Sequence, residues 1–276
     1  MKVSPRYGTE PLITLDGQPD AVAVPFIRQR RRFADVLRSL SADQWAAQSR
    51  CEEWRVQDVV AHLASVDRFW KLMVESALEG DPTRLLVNFD PKATPAAMVD
   101  AVRDKSPQET LAEFDEASDA LCITVEAFDD EGWSAIGESP AGHVTMSTLV
   151  HHALWDCWIH ERDVMIPLGM AQDEQPDEII ASLRYAAGLS PGIALQAGSD
   201  RTGAFAVDVT RPDARFVVTV DDDVHVGDGE TPPDALVLTG DAADVLEALS
   251  VRAPWPQAIP DEHAWLVTGL ADVFGA

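Results

Sequence analysis

The sequence predicts an α plus α/β protein: a helical bundle followed by a small α/β domain. Over the first two-thirds of the chain, apolar residues recur with the i, i+3, i+4, i+7 spacing of amphipathic helices. Beyond a Gln175-Pro176 break the period changes to two, in short segments divided by Gly, Asp and Pro clusters. The length, 276 residues, exceeds the usual single domain and is enough for a sizeable core without staples. Two domains are expected, 1–172 and 173–276.

The first helix is expected over residues 21–40, with Phe26, Phe33, Val36, Leu37 and Leu40 as its apolar positions. The second, over 56–78, places Val59, His62, Leu63, Val66, Phe69, Trp70 and Met73 on one stripe. The third starts at Ser106-Pro107-Gln108-Glu109, a capping box with Pro in the first turn, and runs to about residue 128. The fourth spans 147–166 and is stopped by Pro167 and Gly169. A fifth helix is expected over 177–187. Strands follow at 204–210, 215–220 and 235–239, with turns at 221–223, 227–230 and 232–233. Helices over 241–249 and 261–274 close the chain. Four helices with long connections read as a four-helix bundle.

Charge excludes some functions. Lys and Arg number 21 against 47 Asp and Glu, a net charge of −26, which opposes binding to nucleic acid or an anionic membrane. No apolar run reaches the length needed to span a bilayer. Residues 1–17 hold no apolar signal core, and three widely spaced cysteines (Cys51, Cys122, Cys157) give no disulfide framework. A cytoplasmic protein is expected. The Arg28–Arg32 run is read as a solvated helix face paired with acids. The tryptophans, Trp54, Trp70 and Trp155 among them, are read as packing residues, and Cys51 and Cys157 as inert.

The informative feature is polar residues on an apolar helix. His152, Asp156, His160 and Asp163 stand at i, i+4, i+8 and i+11, one face of a helix whose flanks carry Leu154, Trp155, Trp158 and Ile159. Such groups are costly to bury unless paired or bound to a metal. Asp156 and His160 can converge on one ion, and His62, inward on the second helix, is the candidate third ligand. Three ligands with open positions is the arrangement of a catalytic metal. The alternative on geometry alone is a buried His–Asp hydrogen-bond network. His152 is an alternative ligand, a group behind the ligands, or a substrate contact.

Residues Cys51-Glu52-Glu53-Trp54-Arg55-Val56-Gln57-Asp58-Val59-Val60-Ala61-His62-Leu63 resemble the N-terminal signature of the mycothiol-dependent maleylpyruvate isomerase family, within the DinB-like metalloenzymes. Asp156-Cys157-Trp158-Ile159-His160 and the continuation to Asp163 are similar to its second motif, and Leu238–Leu246 to its C-terminal domain. Two positions depart from the pattern. Asp156 stands where the isomerase has Glu, and Arg55 where a capping Thr or Ser is usual.

The resemblance implies a DinB-like four-helix bundle followed by a sterol-carrier-like α/β domain. It implies a divalent metal, zinc by preference, on His62, Asp156 and His160, with mycothiol or another low-molecular-weight thiol as cofactor. The implied activity is a thiol-dependent isomerase or S-transferase acting on a small electrophile. Asp163 is expected to accept a hydrogen bond from a ligand imidazole or to pair with an Arg. Arg252 is expected either to hold an anionic substrate carboxylate or to be a surface Arg. A metal-dependent hydrolase and a non-catalytic metal- or ligand-binding protein are the alternative functions.

Overall fold

The structure, a computed structural model, describes residues 4–275; the first three residues of the 1–17 stretch lie outside it. A short strand β1 (Ile13–Leu15) and a 3-10 turn lead into α1 (Ala23–Ser39). The short α2 (Ala42–Trp45) precedes α3 (Val56–Leu78), then α4 (Ala93–Asp100) and α5 (Pro107–Glu126). A further short helix, α6 (Asp130–Ser134), and a hairpin of β2 (Ile136–Ser139) and β3 (Gly142–Thr145) lead into α7 (Met146–Met165). The four long helices are those expected from periodicity. They pack in a ring, α1 against α5 and α7, α3 against α5 and α7.

Their ends follow local chemistry. Ser106 Oγ accepts from Glu109 N at 3.3 Å while Ser106 N donates to the Glu109 carboxylate at 2.8 Å, so the expected capping box is formed. Arg55 offers no capping oxygen. The start of α3 is secured instead by Asp58, which accepts from Arg55 N at 2.9 Å.

The C-terminal part begins with α8 (Pro176–Gln196) and continues through β4 (Gly203–Thr210), β5 (Ala214–Val220), β6 (Val224–Gly227) and β7 (Leu236–Asp241). Helices α9 (Ala242–Leu249), α10 (Asp261–Ala264) and α11 (Gly269–Phe274) complete it. The sheet order is β1-β6-β5-β4-β7. The two edge strands pair parallel and the inner pairs antiparallel. A helical N-terminal region is thus joined to a mixed five-stranded sheet with helices, and the N-terminal strand is built into that sheet.

Two expectations about helices are corrected. The fifth helix does not end near 187 but runs through Pro191 to Gln196. A mid-helix Pro costs about 3 kcal/mol, and α8 tolerates it because the helix is buried between α7 and the sheet through Leu183, Ala186, Leu189 and Ile193. Gly188 permits that approach, since a Cβ there would stand 3.0 Å from Val226 and 3.1 Å from Ile13. The final helix is two helices, broken after Ala264. Gly269 N donates to Ser190 Oγ at 3.0 Å, and a Cβ on Gly269 would collide with the Ser190 carbonyl. Docking of this backbone on α8 overrides a continuous helix.

One apolar core runs from the bundle (Trp70, Met73, Leu149) through α8 (Leu183, Ile193) to the sheet (Phe205, Val218). A second cluster of Phe33, Leu37, Val56, Leu63 and Phe114 ties α1, α3 and α5. The Arg28–Arg32 run is not a solvated face. Arg30 is 2% exposed. It donates to Asp67 at 2.8 Å and to the Ala153 carbonyl at 3.0 Å, linking α1, α3 and α7. Arg32 donates to Glu161 and Glu178, both at 2.8 Å. The pairing with acids holds, but buried Asp67 needs its counter-charge inside the bundle. Among the described residues no helix is long and apolar enough to cross a membrane.

Candidate metal centre

Helix α3 carries His62 and helix α7 carries Asp156 and His160. Because α3 packs on α7, the three side chains meet. One ligating atom from each lies within 4.8 Å of the others. His62 Nε2 is 3.8 Å from one Asp156 oxygen and His160 Nε2 is 3.7 Å from the other. The imidazoles stand edge to face, centroids 4.9 Å apart. Trp54, half-buried in the loop before α3, lies tilted on both, 5.0 Å from His62 and 6.3 Å from His160.

A buried His–Asp hydrogen bond is present between His160 and Asp163, but it does not extend to Asp156. A buried His–Asp hydrogen-bond network would close to about 2.7–3.2 Å. At 3.7 and 3.8 Å the groups face one another without bonding, and the Asp156 carboxylate has no hydrogen-bond partner among the described residues. Two imidazole nitrogens and a carboxylate form a donor set suited to zinc and its neighbours. Zinc–ligand bonds of about 2.0–2.1 Å set tetrahedral donor atoms about 3.3 Å apart, against 3.8 and 3.7 Å for the two His–Asp pairs here. The residues present fit a divalent ion.

His160 is held in turn by the groups behind it. His160 Nδ1 donates to Asp163 at 2.9 Å, which leaves Nε2 to face Asp156. Asp163 is fully buried and also accepts from Arg50 Nε at 3.0 Å and from Arg252 at 3.0 and 3.1 Å. The Cys51 thiol donates to the same carboxylate at 3.3 Å. Both expected roles of Asp163, acceptor for an imidazole and partner of arginine, are therefore present at once. Arg162 is not that arginine; it pairs with Glu247 and Glu174. Arg252 is committed to Asp163 and the Ser250 carbonyl. Arg50, Cys51 and Trp54 surround the site through the loop ahead of α3. Cys51 and Trp54 open and close the C-x-x-W motif and Arg50 precedes it, which is the only signal the sequence carries for their place at the site.

Titration follows from this wiring. Burial pulls His160 down, but the bond to Asp163, the Cys51 contact and the charges of Asp156 and Asp163 outweigh it and lift its pKa to about 10. Burial acts against the charged form of Asp163 too, yet His160 and Arg252 hold its pKa well below the ordinary carboxylate range. Burial, with His160 and His152 nearby, keeps His62 neutral. Burial raises Asp156, against the opposing charges of His160, Arg30 and Arg252.

His152 lies outside the three-ligand cluster. Its Nδ1 is 2.5 Å from the hydroxyl of Tyr185 on α8. That imidazole is the hydroxyl's partner among the described residues, so the direction of the bond can be assigned. If Nδ1 carried the hydrogen, the buried phenol proton would lack an acceptor, costing about 1–3 kcal/mol. Tyr185 therefore donates, and the hydrogen of neutral His152 sits on Nε2. Burial pushes the His152 pKa down to about 3 and raises that of Tyr185, so neither changes charge near neutrality.

Residues 26–165 match the mycothiol maleylpyruvate isomerase N-terminal domain family. The chain belongs to this family. The matched stretch, α1 to α7, includes His62, Asp156, His160 and Asp163, while Arg252 and Tyr185 lie beyond it. Among solved structures, that of the mycothiol-dependent maleylpyruvate isomerase and that of a histidine-to-alanine mutant of it are similar. Each aligns with a TM-score of 0.61 and 14% identity, covering 86% of this chain and 91% of that chain. At that identity the likeness shows a common fold. No curated protein matches the chain in sequence.

Proposed function

We propose that the protein is a metal-dependent isomerase or S-transferase that uses a low-molecular-weight thiol, mycothiol by preference, on a small electrophile. Within it, 1–172 is read as a DinB-like helical domain and 173–276 as a sterol-carrier-like α/β domain. The observation that carries the reading is the set His62, Asp156 and His160, which converge from two helices yet stop short of bonding one another. Family membership adds weight to the thiol.

His62, Asp156 and His160 would hold the ion, zinc by preference. When bound, a divalent ion stabilises a coordinated thiol as thiolate near neutral pH. The chain supplies the rest. Asp163 fixes the His160 ring so that Nε2 keeps its lone pair. Arg50 and Arg252 hold Asp163 ionised and immobile. Trp54 covers one side of the two imidazoles and limits water there. For Arg252 to receive a substrate carboxylate, it would have to trade one of its bonds to Asp163.

The test is metal analysis of the purified protein followed by assay with mycothiol and maleylpyruvate. One equivalent of a divalent metal and thiol-dependent turnover are expected. Metal without any thiol dependence would favour hydrolysis instead, and absence of metal would remove the reading.

A further inference from the structure

We propose that His152, held by Tyr185, is a further catalytic residue: a neutral Nε2–H donor to the substrate oxygen on which negative charge develops when the thiolate adds. The inference rests on the thiol-dependent reading above and deepens it.

Helix α7 sets His152 one turn before Asp156 on the same face. The ring is enclosed by Trp70, Tyr185 and Trp155, with centroids at 4.8, 5.2 and 5.5 Å. Three roles were open to it. A metal ligand needs a lone pair, but Nδ1 spends its own on the Tyr185 hydroxyl and Nε2 bears the hydrogen. A group behind the ligands needs a bond to one of them, and His152 makes none among the described residues. What remains is contact with a bound molecule. The sealed and unpartnered side-chain atoms belong to Gln29, Arg30, Arg50, Trp70 and Ser182. The Nε2 of His152 is not of that kind, and stays open to a partner that enters.

A neutral imidazole fixed as a donor suits one type of step. When a thiolate adds to the β-carbon of an enone, a sulfur lone pair forms the C–S bond. The C=C π pair then shifts to make an enolate, and negative charge appears on the carbonyl oxygen. A prepositioned N–H stabilises that oxygen more than it stabilises the ground-state carbonyl. Being neutral, it donates a hydrogen bond and keeps its proton. After rotation about the C–C single bond the enolate pair restores C=C, and the C–S pair departs with sulfur. No proton is transferred, and the electrons balance with no other reactant. Displacement at a saturated carbon develops no such oxygen charge and has no use for this donor.

The experiment compares wild type, His152→Ala, His152→Gln and Tyr185→Phe. Cobalt-loaded proteins are first titrated with mycothiol, and the thiolate-to-cobalt absorption band is read. Long-range 15N–1H spectra then give the His152 tautomer. Turnover of maleylpyruvate and of 4-phenyl-3-buten-2-one gives kcat and KM. All four proteins should bind one metal and show the band, and wild type should show the hydrogen on Nε2. His152→Ala should lose about 100-fold in kcat, with His152→Gln, whose amide N–H reaches the Nε2 position, recovering part of it. In Tyr185→Phe, hydrogen on Nδ1 should become populated and kcat should fall.

Absence of the band in wild type overturns the thiol reading and this inference with it. The band with turnover of neither enone removes the step that the donor serves and overturns this inference, while the thiol reading stands. Turnover unchanged in His152→Ala, hydrogen on Nδ1 in wild type, or metal loss in His152→Ala overturns the donor role alone.

Discussion

Asp163 accepts from His160, Arg50 and Arg252 at once, so its replacement reaches the proposed metal site through the bond to His160. Asp163→Asn should weaken metal binding by about 10–100-fold, the usual cost of losing such a partner. Competition against a chromophoric chelator reads this, and unchanged affinity would contradict the wiring. The His160–Asp163 pair also predicts a pH dependence for metal-free protein. His160 is raised from 6.5 to about 10, so its bonds contribute stability fully below pH 6.5 and lose it as pH climbs through 10. Melting temperatures of stripped protein should fall across that window, while loaded protein, with the His160 lone pair engaged, should fall less. A parallel decline would show that the ion does not use His160. Of this site, the sequence disclosed the residues on one helix face, because i and i+4 positions converge whatever the fold. Cys51, Arg50 and Arg252 reach Asp163 across 112, 113 and 89 residues, and no local period carries such contacts. Tyr185 was hidden for the same reason.

At the scale of elements, the registry of α3 against α7 decides whether His62 meets Asp156. Arg30 fixes that registry by bonding Asp67 on α3 and the Ala153 carbonyl on α7. Arg30→Met strands a buried carboxylate and should cost about 3–5 kcal/mol, whereas Arg30→Met with Asp67→Leu should recover much of it. Urea denaturation of the two variants measures both, and equal losses would assign Arg30 no role beyond packing. Long amphipathic helices were legible because periodicity over 17 to 23 residues outweighs local ambiguity. The hairpin β2–β3 and strand β1 were not, since three or four residues carry no period. Strand β6 follows the turn expected at 221–223, and its four residues are likewise too few to carry a period. The extent of α8 depended on burial between two layers, which overrides Gly188 and Pro191 and leaves no local mark.

Across the whole molecule, charge and core divide the work. The surplus of acids describes the surface, while buried Arg30 and half-buried Arg50 and Arg252 are consumed by Asp67, Asp163 and Glu247. The proposed division near residue 172 separates two kinds of architecture, but β1 lies in the C-terminal sheet and one apolar core spans both parts. Helical circular dichroism and the fluorescence of Trp265, beside the sheet, should therefore report one coincident unfolding transition. Two separate transitions would contradict a shared core. The central claim is that His62, Asp156 and His160 hold one divalent ion, and cobalt titration of metal-stripped protein tests it most directly. The account predicts saturation at one equivalent, with visible bands of four- or five-coordinate cobalt, and loss of those bands in His62→Ala, Asp156→Ala and His160→Ala but not in His152→Ala. Cobalt binding that survives in all three ligand variants would contradict it.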